Sequence, residues 1–135
     1  MSRKIFVNLP VRDLPRAMAF FEALGFHVNR QFTDETAACL VISEEIYAML
    51  LTEAKFAGFT PKAIADAGKV TEVLTCLSCD SREEVDDLTG RALAAGGREP
   101  RPPQDHGFMY GRSFEDPDGH IWELVWMDPS AIRAE

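Results

Sequence analysis

The chain has 135 residues, of which 46% are hydrophobic and 27% charged, a composition typical of a folded domain with its own core. Its formal net charge of −8 argues against nucleic acid and anionic membranes as partners. No apolar run approaches the length of a membrane span, and residues 1–13 lack the apolar segment of a signal peptide, so a cytoplasmic protein is expected.

The first half of the sequence predicts a strand, a helix and three more strands. Residues 4–10 are typical of a strand that ends at Pro10. Asp13 is a favourable N-cap for a helix whose apolar residues recur at helical spacing until Gly25 ends it. Three strand-like segments follow, at residues 26–32, 36–43 and 46–52.

The second half predicts a similar series of elements. A strand is predicted at residues 71–79, and Ser81 with Glu84 forms a capping box at the start of a helix that ends at Gly96. After a proline-rich segment, two strands joined by the turn sequence DPDG are predicted, at residues 108–115 and 121–126.

The two halves align with each other as an internal duplication. Phe6 aligns with Leu74 and Met49 with Glu123, so the offset grows from 68 to 74 residues across the repeat. The alignment predicts a single domain, residues 1–135, with a first module at 4–53, a connection at 54–69 and a second module at 70–128.

Cys76 and Cys79 have the CxxC spacing of redox and zinc sites, but both fall on the strand predicted at residues 71–79. Residues three apart on a strand point to opposite faces, so the two thiols are not expected to converge. The chain has three cysteines, an odd number, and we expect small buried side chains rather than a disulfide scaffold.

Two segments carry a resemblance to a known family. DPDGHIWEL at residues 116–124 and LPVRDLPRAMAFFEALGF at residues 9–26, together with the duplicated βαβββ pattern, resemble the vicinal oxygen chelate superfamily. That superfamily includes glyoxalase I, extradiol dioxygenases, fosfomycin resistance enzymes and bleomycin resistance proteins. The resemblance implies an α+β fold in which two tandem βαβββ modules form an open, cup-shaped mixed barrel, and it implies a homodimer.

The resemblance also implies four metal-ligand positions, at Phe6, Met49, Leu74 and Glu123, where family members usually bind a divalent metal through His, Gln or Glu. Three of these residues are apolar here, and Asn8, two residues after Phe6, is a poor ligand. A single carboxylate does not hold such a metal tightly, because these sites need about three protein ligands. We therefore expect no metal and no other cofactor.

A rearranged metal site is the alternative. His106, in the loop QDHGF, and the neighbouring Asp105 could join Glu123 in a metal-dependent lyase, isomerase or dioxygenase of the glyoxalase type. His120 precedes Glu123 by three residues, so on a strand the two side chains point to opposite faces.

Without a metal, the resemblance implies a protein of the bleomycin-resistance kind that binds a small molecule in an apolar cup, with Glu123 as the polar specificity group. A desolvated carboxylate has a raised pKa unless it is paired, and Arg112, Tyr110 or a cationic ligand could be the partner of Glu123. If unpaired, Glu123 could act as the base of a metal-free lyase or isomerase. The candidate ligand-binding residues are Phe6, Asn8, Met49, Leu74, His106, Tyr110, Arg112 and Glu123.

The strand predicted around residues 108–114 places aromatic residues and Arg112 on one face by simple alternation. That face either stacks on a planar or anionic ligand, or packs under a helix with Arg112 tied to an acidic residue, and the sequence leaves both open. Trp122 and Trp126 fall on the face opposite Glu123 and are expected to pack beneath the helices.

Overall fold

The computed structural model describes residues 3–131, and the chain divides into two compact units, Met1–Asp66 and Ala67–Glu135. The single domain predicted for residues 1–135 therefore extends at both ends into residues outside the described range. No helix within residues 3–131 is long and apolar enough to cross a bilayer.

The first unit has the predicted βαβββ order. Its four strands form one mixed sheet in the order β1-β4-β3-β2, in which β1 and β4 are parallel and the other pairs antiparallel. The elements are β1 (Ile5–Val11), α1 (Leu14–Ala23), β2 (His27–Asn29), β3 (Ala37–Val41) and β4 (Ile46–Thr52), followed by a short helix, α2 (Glu53–Ala57).

Helix α1 begins as its sequence predicts. The Asp13 side chain accepts a hydrogen bond from the Arg16 backbone N–H at 3.1 Å, which satisfies one of the unpaired amides of the first turn. The helix then buries Leu14, Ala17, Phe20 and Phe21 against the sheet. This apolar layer is the core of the first unit.

Two details of the first unit differ from prediction. The strand predicted at residues 26–32 stops at Asn29, whose side chain accepts from the Gln31 backbone N–H at 3.0 Å and starts a 3-10 turn over Arg30–Phe32. The connection at residues 54–69 begins with α2, which is capped by Thr52 through a 3.3 Å bond from the Lys55 N–H. At Asn29 a side-chain cap overrides the strand pattern, and at Thr52 a second cap begins a helix in a connection for which no element was predicted.

The second unit repeats the order βαβββ, with the sheet order β5-β8-β7-β6 and parallel pairing of β5 with β8. The predicted α+β fold of two such modules is thus confirmed. The strand predicted at 71–79 is shorter, and the strand β6 was not predicted. The elements are β5 (Leu74–Ser78), α3 (Arg82–Ala94), β6 (Gln104–Asp105), β7 (Met109–Glu115) and β8 (Ile121–Met127).

The capping box at the start of α3 is confirmed. The Glu84 N–H donates to Ser81 Oγ at 3.1 Å, and the Glu84 carboxylate accepts from the Asp80 N–H at 2.8 Å. Because α3 then packs on β7 and β8, it fixes which face of that sheet is covered.

The DPDG turn between β7 and β8 is organised by a buried carboxylate. Asp116 is 5% exposed and accepts from the N–H groups of Asp118 and His120, both at 3.0 Å, and from Trp122 Nε1 at 3.2 Å. Burial nevertheless raises the pKa of Asp116 above its ordinary value. The turn thus fixes where β8 begins and which of its residues face the core.

Candidate functional site

Glu123 is the third residue of β8, on the sheet face turned away from α3. Its register partners are Cys76 on β5 and Ser113 on β7, and directly paired residues project from the same face of a sheet. Its chain neighbours, Trp122 and Leu124, are each 1% exposed and lie on the covered side. Because side chains alternate along a strand, the Glu123 side chain lies on the open face of the sheet.

A pocket of about 140 Å³ lies on this open face, within the second unit. Arg101 Nη2 is 3.7 Å from Glu123 Oε2, and the Glu123 side chain is 26% exposed. Pockets for drug-sized ligands measure roughly 300–1,000 Å³, so this one suits a molecule of only a few heavy atoms. The lining residues are Leu74, Pro100, Arg101, Ser113, Ile121 and Glu123.

Ser113 is the deepest polar residue of the pocket lining. It is 3% exposed, and its Oγ has no hydrogen-bond partner within the described part of the chain. A buried polar group without a partner costs on the order of 1–3 kcal/mol. The hydroxyl is therefore a polar group whose hydrogen-bonding capacity is unused by the fold.

Arg112 is not the partner of Glu123. Its Nε donates to Glu99 at 2.9 Å and its Nη1 to Asp86 at 3.1 Å, and in register it is opposite Leu124 on the covered face. The pairing of Arg112 with Glu123 considered from the sequence is thus wrong. Arg101 forms the ion pair with Glu123 instead.

The aromatic face of β7 packs under α3. The Tyr110 hydroxyl donates to Asp86 on α3 at 2.6 Å, and this hydrogen bond raises the pKa of Tyr110. Arg82 of α3 lies over the rings of Tyr110 and Trp126, at 5.0 and 5.3 Å. The structure thereby places Tyr110 and Arg112, both predicted ligand-binding residues, on the side away from Glu123, and it confirms the position predicted for Trp126.

The candidate positions of the first unit lie on β1 and β4. Phe6 is 50% exposed and stacks on Tyr47 with 4.6 Å between ring centroids. The residue of β1 beside Met49 is Asn8 rather than Phe6. The second unit has the equivalent register. Glu123 is beside Cys76 rather than Leu74, which is 52% exposed and precedes Cys76 by two residues on β5.

The side chains at these positions do not fit a divalent metal. Across residues 3–131, no three His, Cys, Asp or Glu side chains come together as a possible metal site. Burial around its sulfur, and then the Glu123 carboxylate, raise the pKa of the Cys76 thiol, although the residue as a whole is exposed. A protonated thiol is a poor metal ligand. Cys76 was expected to be buried and is exposed, whereas Cys79 is buried as expected.

The histidines do not rebuild such a site. His106 is exposed in the turn after β6. Asp105 is held by Arg82 through bonds of 2.9 and 3.0 Å, which lower the pKa of Asp105 to about 2. His120 lies before β8 and donates its backbone N–H to Asp116. The rearranged site of His106, Asp105 and Glu123 is not formed.

Sequence reasoning missed Arg101 and undervalued Ser113. Arg101 lies in the proline-rich segment before β6, where no periodicity indicates which way a side chain points. The alternation of β7 does place Ser113 on the face opposite Arg112, so its position could have been predicted once that face was known.

The chain is similar to known proteins in sequence and in fold. A family model described as the glyoxalase/bleomycin resistance protein/dioxygenase superfamily matches residues 5–124. A hypothetical protein from S. aureus is 28% identical in sequence, with a TM-score of 0.78 over 93% of this chain and 94% of that chain. No curated protein matches the sequence.

Two structures of lower identity share the fold. A genomically encoded fosfomycin resistance protein from Listeria monocytogenes is 19% identical, with a TM-score of 0.69 over 96% of this chain and 97% of that chain. A lactoylglutathione lyase from Agrobacterium tumefaciens is 18% identical, with a TM-score of 0.68 over 98% of each chain. These similarities show a shared fold and do not identify a substrate of this chain.

Proposed function

Because the chain belongs to the glyoxalase/bleomycin resistance protein/dioxygenase superfamily, we propose that it binds a small molecule in the pocket beside Glu123, without the usual metal. One observation carries the proposal. The carboxylate kept at a family ligand position opens onto a pocket that also holds Arg101 and the unpaired Ser113 hydroxyl. The other three ligand positions are Phe6, Met49 and Leu74.

The electrostatics of the pocket suit reversible binding. At 3.7 Å the contact between Arg101 and Glu123 is longer than the roughly 2.7–2.9 Å of a charge-assisted hydrogen bond. Because the Arg101 side chain is exposed, the pair contributes only about 0–1 kcal/mol, so a ligand can replace it at little cost. We also propose the homodimer that the family resemblance implies, with each protomer carrying its own pocket.

Metal content and fragment binding, measured on the same untagged protein, test this function. We expect less than about a tenth of an equivalent of Ni²⁺, Zn²⁺, Mn²⁺ or Fe²⁺ after loading, because about three protein ligands are needed for tight binding. In a fragment screen followed by amide NMR, we expect shifts at Arg101, Ser113 and Glu123. Glu123→Gln should weaken these fragments, whereas Glu72→Gln, a change at an exposed residue of the same unit, should not.

Two results would overturn the proposal. Near one equivalent of metal in the wild type, lost in Glu123→Gln, would mean that a metal site forms around Glu123. A screen in which no fragment perturbs the three pocket residues would remove the binding function itself.

A second candidate is a metal-free lyase or isomerase in which Glu123 is the general base. None of the described residues makes a hydrogen bond to the Glu123 carboxylate. Its lone pairs are therefore available to a bound molecule, which favours this candidate. The test is exchange of a carbon-bound proton of a bound fragment with D₂O. Exchange that Glu123→Gln abolishes and Glu123→Asp partly keeps would support the base.

A further inference from the structure

The pocket holds two opposite charges in a long ion pair. Arg101 and Glu123 approach to 3.7 Å, and within residues 3–131 neither side chain makes a hydrogen bond. Each can therefore form a short charge-assisted bond with a group of opposite sign, and such bonds are roughly twice as strong as neutral ones. The site is prepared for one anionic and one cationic group at the same time.

The Ser113 hydroxyl adds a third polar group. It can donate one hydrogen bond and accept others, and no described residue uses either capacity. It is opposite Glu123 in the register of β7 and β8, so it lies at the Glu123 end of the pocket rather than on the covered face. Ser113 and Glu123 therefore both line the pocket from the same face of the sheet.

The remaining lining is apolar. Leu74, Pro100 and Ile121 complete the pocket, and its volume of about 140 Å³ leaves room for a short hydrocarbon group beside the charges. A larger ligand would have to extend into solvent, to which the Arg101 side chain is 59% exposed.

From these groups, and resting on the proposed binding function, we infer that the pocket takes a small zwitterion, a carboxylate and a protonated amine on neighbouring carbons with a short apolar side chain. The carboxylate binds Arg101, the amine binds Glu123 and Ser113, and the side chain contacts the apolar lining. The charges of Arg101 and Glu123 cancel, so a ligand of zero net charge keeps the site neutral. A net anion would instead be opposed by the chain's charge of −8.

A series of ligands with the same four-carbon chain tests the charge requirement. The probes are 2-aminobutyrate, butyrate without the amine, 2-aminobutyramide without the carboxylate, and 2-hydroxybutyrate with a hydroxyl in place of the amine. Their affinities are measured by NMR titration at pH 7. We expect 2-aminobutyrate to bind at least about tenfold more tightly than each of the other three, because each lacks one charge-assisted bond.

Variants assign each contact. Arg101→Gln should abolish the preference for 2-aminobutyrate over its amide, and the control Arg98→Gln, at an exposed residue of the same segment, should keep it. Ser113→Ala should have two opposite effects: weaker binding of 2-aminobutyrate, by about tenfold, and a melting temperature higher by about 3 °C, because an unpaired buried hydroxyl is removed. The exposed Ser78→Ala should change neither quantity.

The outcomes separate this inference from the function on which it rests. If fragments bind the pocket but 2-aminobutyrate binds no more tightly than butyrate, 2-aminobutyramide and 2-hydroxybutyrate, the zwitterion inference is wrong and small-molecule binding stands. If no probe or fragment shifts Arg101, Ser113 or Glu123, both are wrong. A lower melting temperature in Ser113→Ala, with binding unchanged, would show a purely structural serine.

Discussion

Two arginines of the second unit have different roles because of their burial and partners. Arg112 is 18% exposed and bonded to two carboxylates on the covered face, whereas Arg101 is 59% exposed and only loosely paired. Arg112 is therefore a structural residue, and Arg101 is available to a ligand.

Arg112→Met should destabilise the protein by about 2 kcal/mol, because it removes the cation from the partly buried Glu99 and one of the hydrogen-bond donors from Asp86. Urea denaturation measures the change. The control is Arg91→Met, which breaks an exposed pair with Asp87 one helical turn away and should cost less than about 0.5 kcal/mol. Ligand binding at the pocket should be unchanged in Arg91→Met, and a loss of binding in Arg112→Met would mean that the Arg112–Glu99 contact also positions the adjoining pocket residues Pro100 and Arg101.

The carboxyl of Asp105 should titrate well below its ordinary range. Hydrogen bonds from Arg82, then from the Gly107 N–H, lower its pKa from 3.8 to about 2. A lowered folded pKa means that the Arg82–Asp105 contact stabilises the fold above pH 3.8, and that this contribution is lost as the pH falls towards 2.

Carboxyl ¹³C NMR across this pH range measures the midpoint directly. In Arg82→Gln the Asp105 midpoint should move up towards 3.8. An unchanged midpoint would show that Arg82 is not the main cause of the shift.

At the scale of elements, the turn between β7 and β8 depends on one glycine. Gly119 has φ +93°, and a Cβ there would lie 2.7 Å from the Ala67 carbonyl oxygen and 2.9 Å from Gly68 Cα, both backbone atoms. Gly96, after α3, has a similar φ of +103° but open space around it. Comparing alanine substitutions at Gly96 and Gly119 therefore separates the cost of backbone strain from the cost of a steric clash.

Gly96→Ala should cost about 1–2 kcal/mol, the strain of a left-handed residue alone. Gly119→Ala should cost clearly more, by a further ~1–3 kcal/mol, because the Ala67 backbone must move. Chemical denaturation of both variants gives the difference. Equal costs would mean that the backbone of residues 67–68 moves away from the new Cβ without a measurable loss of stability.

Elements with local signals were predictable from the sequence. The N-cap of α1, the capping box of α3 and the alternation of β8 each depend on residues within a few positions, and all three are confirmed. The strand predicted at residues 26–32 was wrong beyond Asn29, because a side-chain cap ended it.

The contacts of the candidate site were less predictable, because they join distant segments. Arg101 and Glu123 are 22 positions apart in sequence and meet through an irregular proline-rich stretch. The register that pairs Asn8 with Met49 and Cys76 with Glu123 depends on whole sheets, and no single residue of either strand specifies it.

At the scale of the whole molecule, the two units share one topology but differ in chemistry. The position that holds Glu123 in the second unit holds Met49 in the first, each with its β1 or β5 partner in equivalent register. The duplicated fold therefore presents a carboxylate in one unit and a thioether in the other. This asymmetry is why the proposed pocket belongs to the second unit.

The single domain predicted from the sequence has a consequence for unfolding. A unit of about 60 residues buries only about 60% of its unfolded surface and is marginally stable, so we expect Met1–Asp66 and Ala67–Glu135 to unfold together. Both tryptophans, Trp122 and Trp126, lie in the second unit, so their fluorescence reports on that unit alone.

Phe21→Ala tests this coupling from the other unit. Phe21 is 0% exposed, and its loss should cost about 3–5 kcal/mol. If the units unfold together, the urea midpoints from far-ultraviolet circular dichroism and from tryptophan fluorescence fall by the same amount. The control, Phe59→Ala, removes a 69% exposed ring from the first unit and should move neither midpoint appreciably. A fluorescence midpoint that stays in place in Phe21→Ala, while part of the dichroism transition moves, would make each unit a separate folding domain and the single-domain prediction wrong.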